Sequence, residues 1–138
     1  MFVEIKKYAN YGHFILKKGD RLAKVSKGVP ELPGVYYFIR LANGMKNLVY
    51  IGKSGTIKQD GTFQDQLLRG RINNKQADKK RQVFFDEKIE EEMIDELDIF
   101  WFVTMDKENG DLPGFVEGML MQRFFEMHGK LPIWNKDY

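Results

Sequence analysis

The alternation of apolar and polar residues along the chain predicts three strands. Residues 35–41 and residues 48–53 are rich in β-branched and aromatic side chains, which favour extended backbone. Asn43 and Gly44 lie between these stretches and form a sequence typical of a tight hairpin turn. A continuous apolar run at residues 99–105 has the length of a strand and predicts a buried central strand.

Two helices are predicted between the hairpin and this central strand. Thr62 is a suitable N-terminal cap for a helix over residues 62–75, which follows a glycine-rich loop. The acidic stretch at residues 86–95 has the apolar spacing of a second helix. The side chains expected on its inner side are Phe85, Ile89 and Met93.

The last helix has clear signals at both ends. Pro113 fits the first helical position because its missing N–H has no partner there in any case. Gly129 can adopt the left-handed conformation that ends a helix, and Pro132 prevents its continuation. We therefore expect a helix that runs from Pro113 to about His128.

These elements follow the order β-β-α-α-β-α and predict an α+β fold rather than a doubly wound parallel one. We expect a small mixed or antiparallel three-stranded sheet that is built on the hairpin and flanked by helices. A chain of 138 residues with 43% hydrophobic content suits a single domain, residues 1–138. Within it, residues 1–31 are an N-terminal preamble and residues 32–138 form the main body.

Composition excludes several classes of protein. The chain has no cysteine, so it contains neither disulfides nor cysteine-based zinc sites. No apolar run is long enough to span a membrane, and residues 1–11 lack the apolar core of a signal peptide. We therefore expect a cytoplasmic protein with no membrane partner and no small-molecule cofactor.

Charge is unevenly distributed, although the net charge is only +2. Residues 46–81 contain nine Lys or Arg against three Asp, whereas residues 86–111 contain eleven acids against two Lys. The first region could neutralise phosphates, and the second would repel them. Charge alone favours the simpler interpretation, two ordinary solvated faces. The candidate nucleic-acid contacts in the basic region are Lys58, Arg69, Lys75, Lys79, Lys80 and Arg81.

Two charged residues occupy positions where helical periodicity expects apolar side chains. At about 100° per residue, Arg71 falls on the apolar side of its helix, whereas Arg69 falls on the opposite side. Glu117 falls in the middle of the apolar face of the last helix, where a carboxylate loses hydration and needs a cation. A buried Arg71–Glu117 salt bridge and a functional metal site are equally open alternatives here. The apolar residues around Glu117 are Leu120, Met121, Phe124, Phe125 and Met127.

Two tripeptides on the predicted hairpin resemble the paired signature of the GIY-YIG nuclease family. Residues 34–36 read GVY at the start of the first strand, and residues 50–52 read YIG near the end of the second. The family is similar in placing an arginine on the next helix, a glutamate on a later helix and an asparagine shortly after a proline. In this chain those residues are Arg71, Glu117 and Asn135.

The resemblance covers roughly residues 32–135, with some departures. Thirteen residues separate Tyr36 from Tyr50, slightly more than usual, and we expect the turn at residues 43–47 to absorb them. Many members have a histidine or tyrosine one turn after the arginine, where this chain has Lys75.

The resemblance implies a hydrolase that cuts DNA phosphodiester bonds with the help of a tyrosine. Either Tyr36 or Tyr50 would take the proton of the attacking water, and the sequence does not decide between them. A free phenol has a pKa of about 10, too high for a base at neutral pH. Lys53, which follows the second motif as in excision-repair nucleases, would favour the phenolate together with Arg71 and a metal ion.

The remaining roles also come from the resemblance. Arg71 would stabilise the charge of the phosphate in the transition state. Glu117 would be the only protein ligand of Mg²⁺ or Mn²⁺, which suits an ion that keeps most of its water. Asn135 would hold a metal-bound water or orient a neighbour. The alternatives are a catalytically inactive nucleic-acid-binding domain and a structural domain, and both a homodimer and a separate targeting partner stay open.

Overall fold

The fold is α+β, with an antiparallel sheet that has helices on both faces. It was determined as a computed structural model that describes residues 2–64 and 66–138. The strands of the main sheet are β1 (Tyr11–Leu16), β2 (Gly34–Ala42), β3 (Met45–Lys53) and β8 (Glu96–Val103), in the spatial order β1-β8-β2-β3. Two small hairpins are formed by β4 (Thr56–Ile57) with β5 (Phe63–Gln64) and by β6 (Lys75–Gln76) with β7 (Lys79–Lys80). The helices are α1 (Leu22–Val25), α2 (Leu68–Ile72), α3 (Arg81–Glu91) and α4 (Pro113–His128).

Each face of the main sheet has its own hydrophobic core. On one face, α1, α2 and α3 cover a cluster that includes Tyr36, Phe38 and Ile99. On the other face, α4 and the N-terminal residues cover a cluster that includes Tyr37 and Phe102. A strand that is buried on both sides needs apolar residues at successive positions, which explains the continuous apolar run in β8. No helix among residues 2–64 and 66–138 is long and apolar enough to cross a membrane.

The N-terminal region adds a fourth strand that the sequence did not predict. Strand β1 pairs with β8 along its whole length, from Tyr11 opposite Phe102 to Leu16 opposite Leu97. The predicted three-stranded sheet is therefore one strand short, and β8 lies inside the sheet as expected. The alternation of β1 is weak because Gly12 lies on its inner face while Tyr11 and Ile15 lie on its exposed face.

The helix predicted over residues 62–75 is much shorter than expected. Phe63 and Gln64 belong to β5, and the helical turns begin only at Leu68. The Thr62 hydroxyl does not cap a helix, since it donates a hydrogen bond to Asp60 at 2.7 Å. A local hairpin around this Asp–Gly turn therefore wins over the predicted helical start.

The other two helices agree better with the sequence. Helix α4 begins at Pro113 and ends at Gly129, whose φ of 68° is left-handed, as predicted. Helix α3 starts earlier and ends at Glu91, so the prediction for residues 86–95 is displaced. Met93 is consequently 69% exposed and adopts a φ of 50°, although an inward position was expected. Phe125 and Met127, expected around Glu117, are exposed as well.

One extra residue in β3 determines which face Tyr50 occupies. The hairpin turn at Asn43 and Gly44 pairs Ile39 with Leu48, but the next pair is Phe38 with Tyr50, so Val49 is a bulge. Unbroken pairing would have placed Tyr50 opposite Tyr37, on the face away from Tyr36, because side chains alternate along a strand. The turn itself is a tight two-residue one at Asn43 and Gly44, contrary to the longer turn expected over residues 43–47, and the bulge adds one residue between the two motifs.

Residues near the C-terminus hold the outer edge of β3 at this bulge. The Trp134 backbone N–H donates to the Val49 carbonyl at 2.8 Å. The Asn135 side chain accepts from the Ile51 N–H at 3.0 Å and donates to the Ile51 carbonyl at 3.0 Å. The amide of Asn135 therefore replaces a neighbouring strand at the sheet edge.

Substitution of Asn135 should destabilise this edge. We expect Asn135→Ala to lower the free energy of unfolding by about 1–3 kcal/mol, because both groups of Ile51 lose a partner in a partly buried setting. The measurement is urea denaturation followed by circular dichroism. Asn47 is an exposed asparagine on β3, the strand that contains Ile51. Asn47→Ala is therefore the matched control, and it should change the free energy of unfolding little. Equal effects of the two substitutions would contradict this role.

Candidate active site

A cleft at the outer edge of the main sheet brings together most of the predicted site residues. Its volume is about 220 Å³. Strands β2 and β3 supply its floor, α2 and β6 one wall, and α4 the other. Its lining residues are Tyr36, Tyr50, Gly52, Lys53, Arg71, Lys75, Arg81 and Glu117.

The two tyrosines of the paired motifs lie next to each other on the cleft floor. The ring centroids of Tyr36 and Tyr50 are 6.2 Å apart, and both rings pack against Phe38. Tyr36 is only 1% exposed, whereas Tyr50 is partly exposed. This proximity follows directly from the bulge at Val49.

Gly52 is required by the position of Tyr36. The two residues are paired across the hairpin. A Cβ atom at Gly52 would lie 2.6 Å from Cζ and 2.7 Å from the hydroxyl oxygen of Tyr36. Only a glycine lets the Tyr36 ring lie over the backbone of β3 here, which gives the last residue of the second motif a steric reason.

Three cations of the cleft wall have no acidic partner. Lys53, Arg71 and Lys75 form no ion pair within 4.0 Å in the described part of the chain. Together with Arg81 they give the cleft a net charge of +3 when Glu117 is ionised. Like charges this close repel each other, so the cleft is prepared for an anion.

Glu117 also has no direct partner. It makes no hydrogen bond or ion pair with any residue in the ranges that the structure describes. The simple Arg71–Glu117 salt bridge considered from the sequence is therefore absent among them. Burial raises the pKa of Glu117 to about 7, and the nearby charges of Lys53 and Arg71 oppose this shift only in part. The carboxylate lies at the margin of the buried side of α4, because the apolar residues Phe125 and Met127 face solvent.

The protein environment makes the Tyr50 hydroxyl a weaker acid than a free phenol. Burial raises its pKa to about 12, and the neighbouring Tyr36 adds to this effect. The charges of Arg81 and Arg71 act in the opposite direction but are weaker. The two arginines alone therefore do not make Tyr50 a phenolate at neutral pH, and the expected stabilisation also requires the metal ion.

Arg81 has a different place from the one predicted. It was expected on the surface as a contact to nucleic acid, but it is 1% exposed and lies beneath the cleft. The sequence contained a signal for this burial, since Arg81 is spaced four and eight residues from the buried Phe85 and Ile89. The signal was missed because the helix was predicted to begin at residue 86, so Arg81 was not considered as a helical position.

Asn135 lies outside the cleft. Both ends of its amide are engaged by Ile51, which fits the second of the two roles considered for it from the sequence, that of orienting a neighbour. It positions the strand that carries Tyr50. Of the other predicted contacts, Lys58, Arg69 and Lys80 are exposed and away from the cleft lining, and Lys79 is exposed and paired with Glu87.

The donor set of the cleft fits a weakly held divalent ion. Among residues 2–64 and 66–138, no group of three or more His, Cys, Asp or Glu side chains could hold a metal together. One carboxylate without a partner is available in Glu117, and its burial makes a bound cation favourable. Mg²⁺ keeps several waters and is often held by one or two carboxylates plus phosphate oxygens. Without the Glu117 carboxylate and phosphate oxygens as ligands, the positive charge of the cleft would repel a divalent ion.

Comparison with known proteins identifies no relative of this chain. No family model, no curated protein and no solved structure matches it.

Substitution of Gly52 tests the contact with Tyr36. We expect Gly52→Ala to lower the free energy of unfolding by about 1–3 kcal/mol, because the buried Tyr36 ring has no room to retreat. Gly28→Ala is the control, since a Cβ there meets nothing within 4 Å. The measurement is thermal or urea denaturation of both variants. A neutral Gly52→Ala would show that Tyr36 moves freely.

The raised pKa of Glu117 predicts a pH-dependent penalty on stability. Because the pKa of about 7 in the folded protein lies above the ordinary pKa of 4.5 for a glutamate, the stabilising contribution is fully present below pH 4.5 and is lost as pH rises through 7. Glu117→Gln should match the wild type near pH 5 and exceed it near pH 8, by up to about 3 kcal/mol. Glu108→Gln, at an exposed position, should show no such trend.

These denaturation curves are recorded without divalent ions. A Glu117→Gln protein that is less stable than the wild type at pH 8 would mean that Lys53 and Arg71 stabilise the carboxylate more than burial destabilises it.

Proposed function

We propose that this protein is a divalent-metal-dependent endonuclease of the GIY-YIG type that hydrolyses DNA phosphodiester bonds. The observation that supports it most strongly is the cleft in which the tyrosines of both motifs, Arg71 and Glu117 converge, with the charges of the last two unpaired. Charged groups that were kept only for packing would be expected to pair with each other. Charged groups that bind an external anion and an external cation would be expected to stay unpaired with each other.

The cleft suits a phosphate of a nucleic-acid backbone. Lys53, Arg71 and Lys75 offer charged donors to the phosphate oxygens. Arg71 is the residue best suited to the transition state, because its planar guanidinium can donate two parallel hydrogen bonds to a phosphate. Glu117, once deprotonated, would hold Mg²⁺ or Mn²⁺, which supplies charge neutralisation at the phosphate when it is bound.

The exposed cations next to the cleft suggest a path for the strand. In the hairpin of β6 and β7, Lys75 is paired with Lys80, so both side chains lie on the same face. Two lysines opposite each other destabilise a hairpin by themselves, and a phosphate between them would remove the repulsion. Arg69 and Lys58 are further exposed cations that could contact the backbone.

A nucleic-acid-binding domain without catalysis is the second candidate. It is favoured by the excess of cations and by the single carboxylate, that of Glu117, among the described residues that line the cleft. It requires neither the juxtaposed tyrosines nor an unpaired Glu117, so it explains less of the site.

Plasmid cleavage separates these functions. With Mg²⁺ or Mn²⁺, the wild type should convert supercoiled plasmid to nicked circles first, because one cleft cuts one strand at a time. Glu117→Gln and Arg71→Ala should each lower the rate by about 100-fold or more, as expected for groups that stabilise transition-state charge. Arg21→Ala is the matched control, since this exposed arginine does not line the cleft, and it should stay within about threefold.

The other outcomes are equally informative. Binding of DNA in a gel-shift experiment without nicking by the wild type would support the second candidate. Nicking that persists in Glu117→Gln would show that the cleft is not the active site. A wild-type protein that neither binds nor nicks DNA would contradict both functions.

A further inference from the structure

Arg81 is a buried cation without a counter-charge. It is the largest fully buried side chain among the described residues, at 1% exposure. No carboxylate of those residues lies within ion-pair distance of it, and its Nε and Nη1 atoms have no hydrogen-bond partner there. Its single side-chain hydrogen bond runs from Nη2 to the Tyr36 hydroxyl oxygen at 3.4 Å.

Aromatic rings surround the guanidinium in place of an acid. The Cζ atom lies 5.6 Å from the ring centroid of Tyr36 and 5.4 Å from that of Tyr50. The rings of Phe38 and Phe85 complete the set at 5.1 and 5.9 Å. Cation–π attraction offsets part of the desolvation of the charge, but a buried guanidinium with free N–H groups still lacks an anion.

The groups that face this guanidinium leave one candidate for that negative charge. From the elements around the cleft they are Tyr36 of β2, Tyr50 and Lys53 of β3, Arg71 of α2, Lys75 of β6 and Glu117 of α4. Three are cations and would repel Arg81. Glu117 is not within 4.0 Å of it. Tyr50 presents its ring to Arg81, and its hydroxyl oxygen accepts no hydrogen bond from Arg81 in the described part of the chain. The oxygen that already touches Arg81 belongs to Tyr36.

We propose that Arg81 is a positioning residue that fixes the Tyr36 hydroxyl oxygen and stabilises negative charge on it. The stabilisation is a property of the folded chain, whereas its use in hydrolysis rests on the proposed function. In that use, the Tyr36 phenolate accepts a proton from water and becomes a phenol, the resulting hydroxide attacks phosphorus, and the bond from phosphorus to the leaving sugar oxygen breaks. The negative charge passes from Tyr36 to the leaving oxygen, and transfer of the phenol proton to that oxygen or to solvent water restores the phenolate beside Arg81.

A purely structural role accounts poorly for a charge at this position. An apolar side chain of similar length, such as methionine, would fill the same space without desolvation and is often at least as stable. Arg81 also lies directly under both motif tyrosines, where its charge acts on the site and not on a distant part of the core. The positioning role therefore predicts a change in tyrosine ionisation that packing alone would not cause.

Tyrosine labelled with ¹³C at Cζ provides a direct measurement, because this carbon reports ionisation of each ring by NMR. The spectra are recorded against pH on the metal-free protein, and Tyr36→Phe and Tyr50→Phe assign the two cleft signals. In Arg81→Met, the Tyr36 signal should move to its phenolate position at a pH at least about one unit higher than in the wild type. Arg81→Lys, which keeps the charge, should lie between the two.

The outcomes separate this inference from the nuclease proposal. An unchanged Tyr36 titration in Arg81→Met, in a folded protein, would overturn the inference even if the wild type nicks DNA. A shifted titration in a protein that does not nick would leave the inference standing and remove the proposed function. If Arg81→Met fails to fold, Arg81→Lys is the deciding variant, because it keeps the charge next to Tyr36. In that variant, a Tyr36 titration that moves from its wild-type pH as far as the Tyr50 titration does would contradict the proposal.

Discussion

The candidate site depends on the pairing register of β2 and β3. A hairpin with a two-residue turn fixes which side chains share a face, and a single extra residue reverses that assignment for everything beyond it. The bulge at Val49 makes this reversal between Leu48 and Tyr50. Without it, the hydroxyls of the two motifs would lie on opposite faces, one toward α2 and one toward α4. No substitution of a side chain could reproduce this effect.

Around this hairpin the chain keeps charges in an arrangement that does not favour its own stability. Several cations line one cleft, a partly buried carboxylate lies among them, and a guanidinium lies among aromatic rings. Elsewhere the same chain pairs its charges well, as in the ion pairs of Arg123 with Glu4 and of Arg40 with Glu92. Local departures from good pairing within an otherwise consistent fold are expected where a protein acts on something else.

Much of the fold was predictable where one local rule dominated. The Asn43–Gly44 turn, the central apolar strand and both ends of α4 follow from turn chemistry, double-sided burial and helix capping. The failures have physical reasons. Strand β1 was missed because its exposed face carries Tyr11 and Ile15 and its inner face carries Gly12, which blurs the alternation. The long helix over residues 62–75 was wrong because its apparent periodicity spanned a hairpin, a short helix and the start of another hairpin.

The site shows the same division. Arg71 and Glu117 were found from helical phase, although the helix of Arg71 is short and the exposed Phe125 and Met127 made Glu117 look more central than it is. The burial of Arg81 and the edge role of Asn135 could not be found in this way. Both depend on contacts between segments far apart in sequence, and no pattern within one segment encodes them.

The clamp on the outer edge of β3 has a consequence for biosynthesis. Asn135 follows its partner Ile51 by 84 residues, so a ribosome exposes the hairpin long before the clamp can form. Until then the backbone groups at the outer edge of β3 are open to pairing with other chains. Closing so large a loop is slow. The nascent chain is therefore most vulnerable to aggregation in the interval between emergence of the hairpin and arrival of this amide.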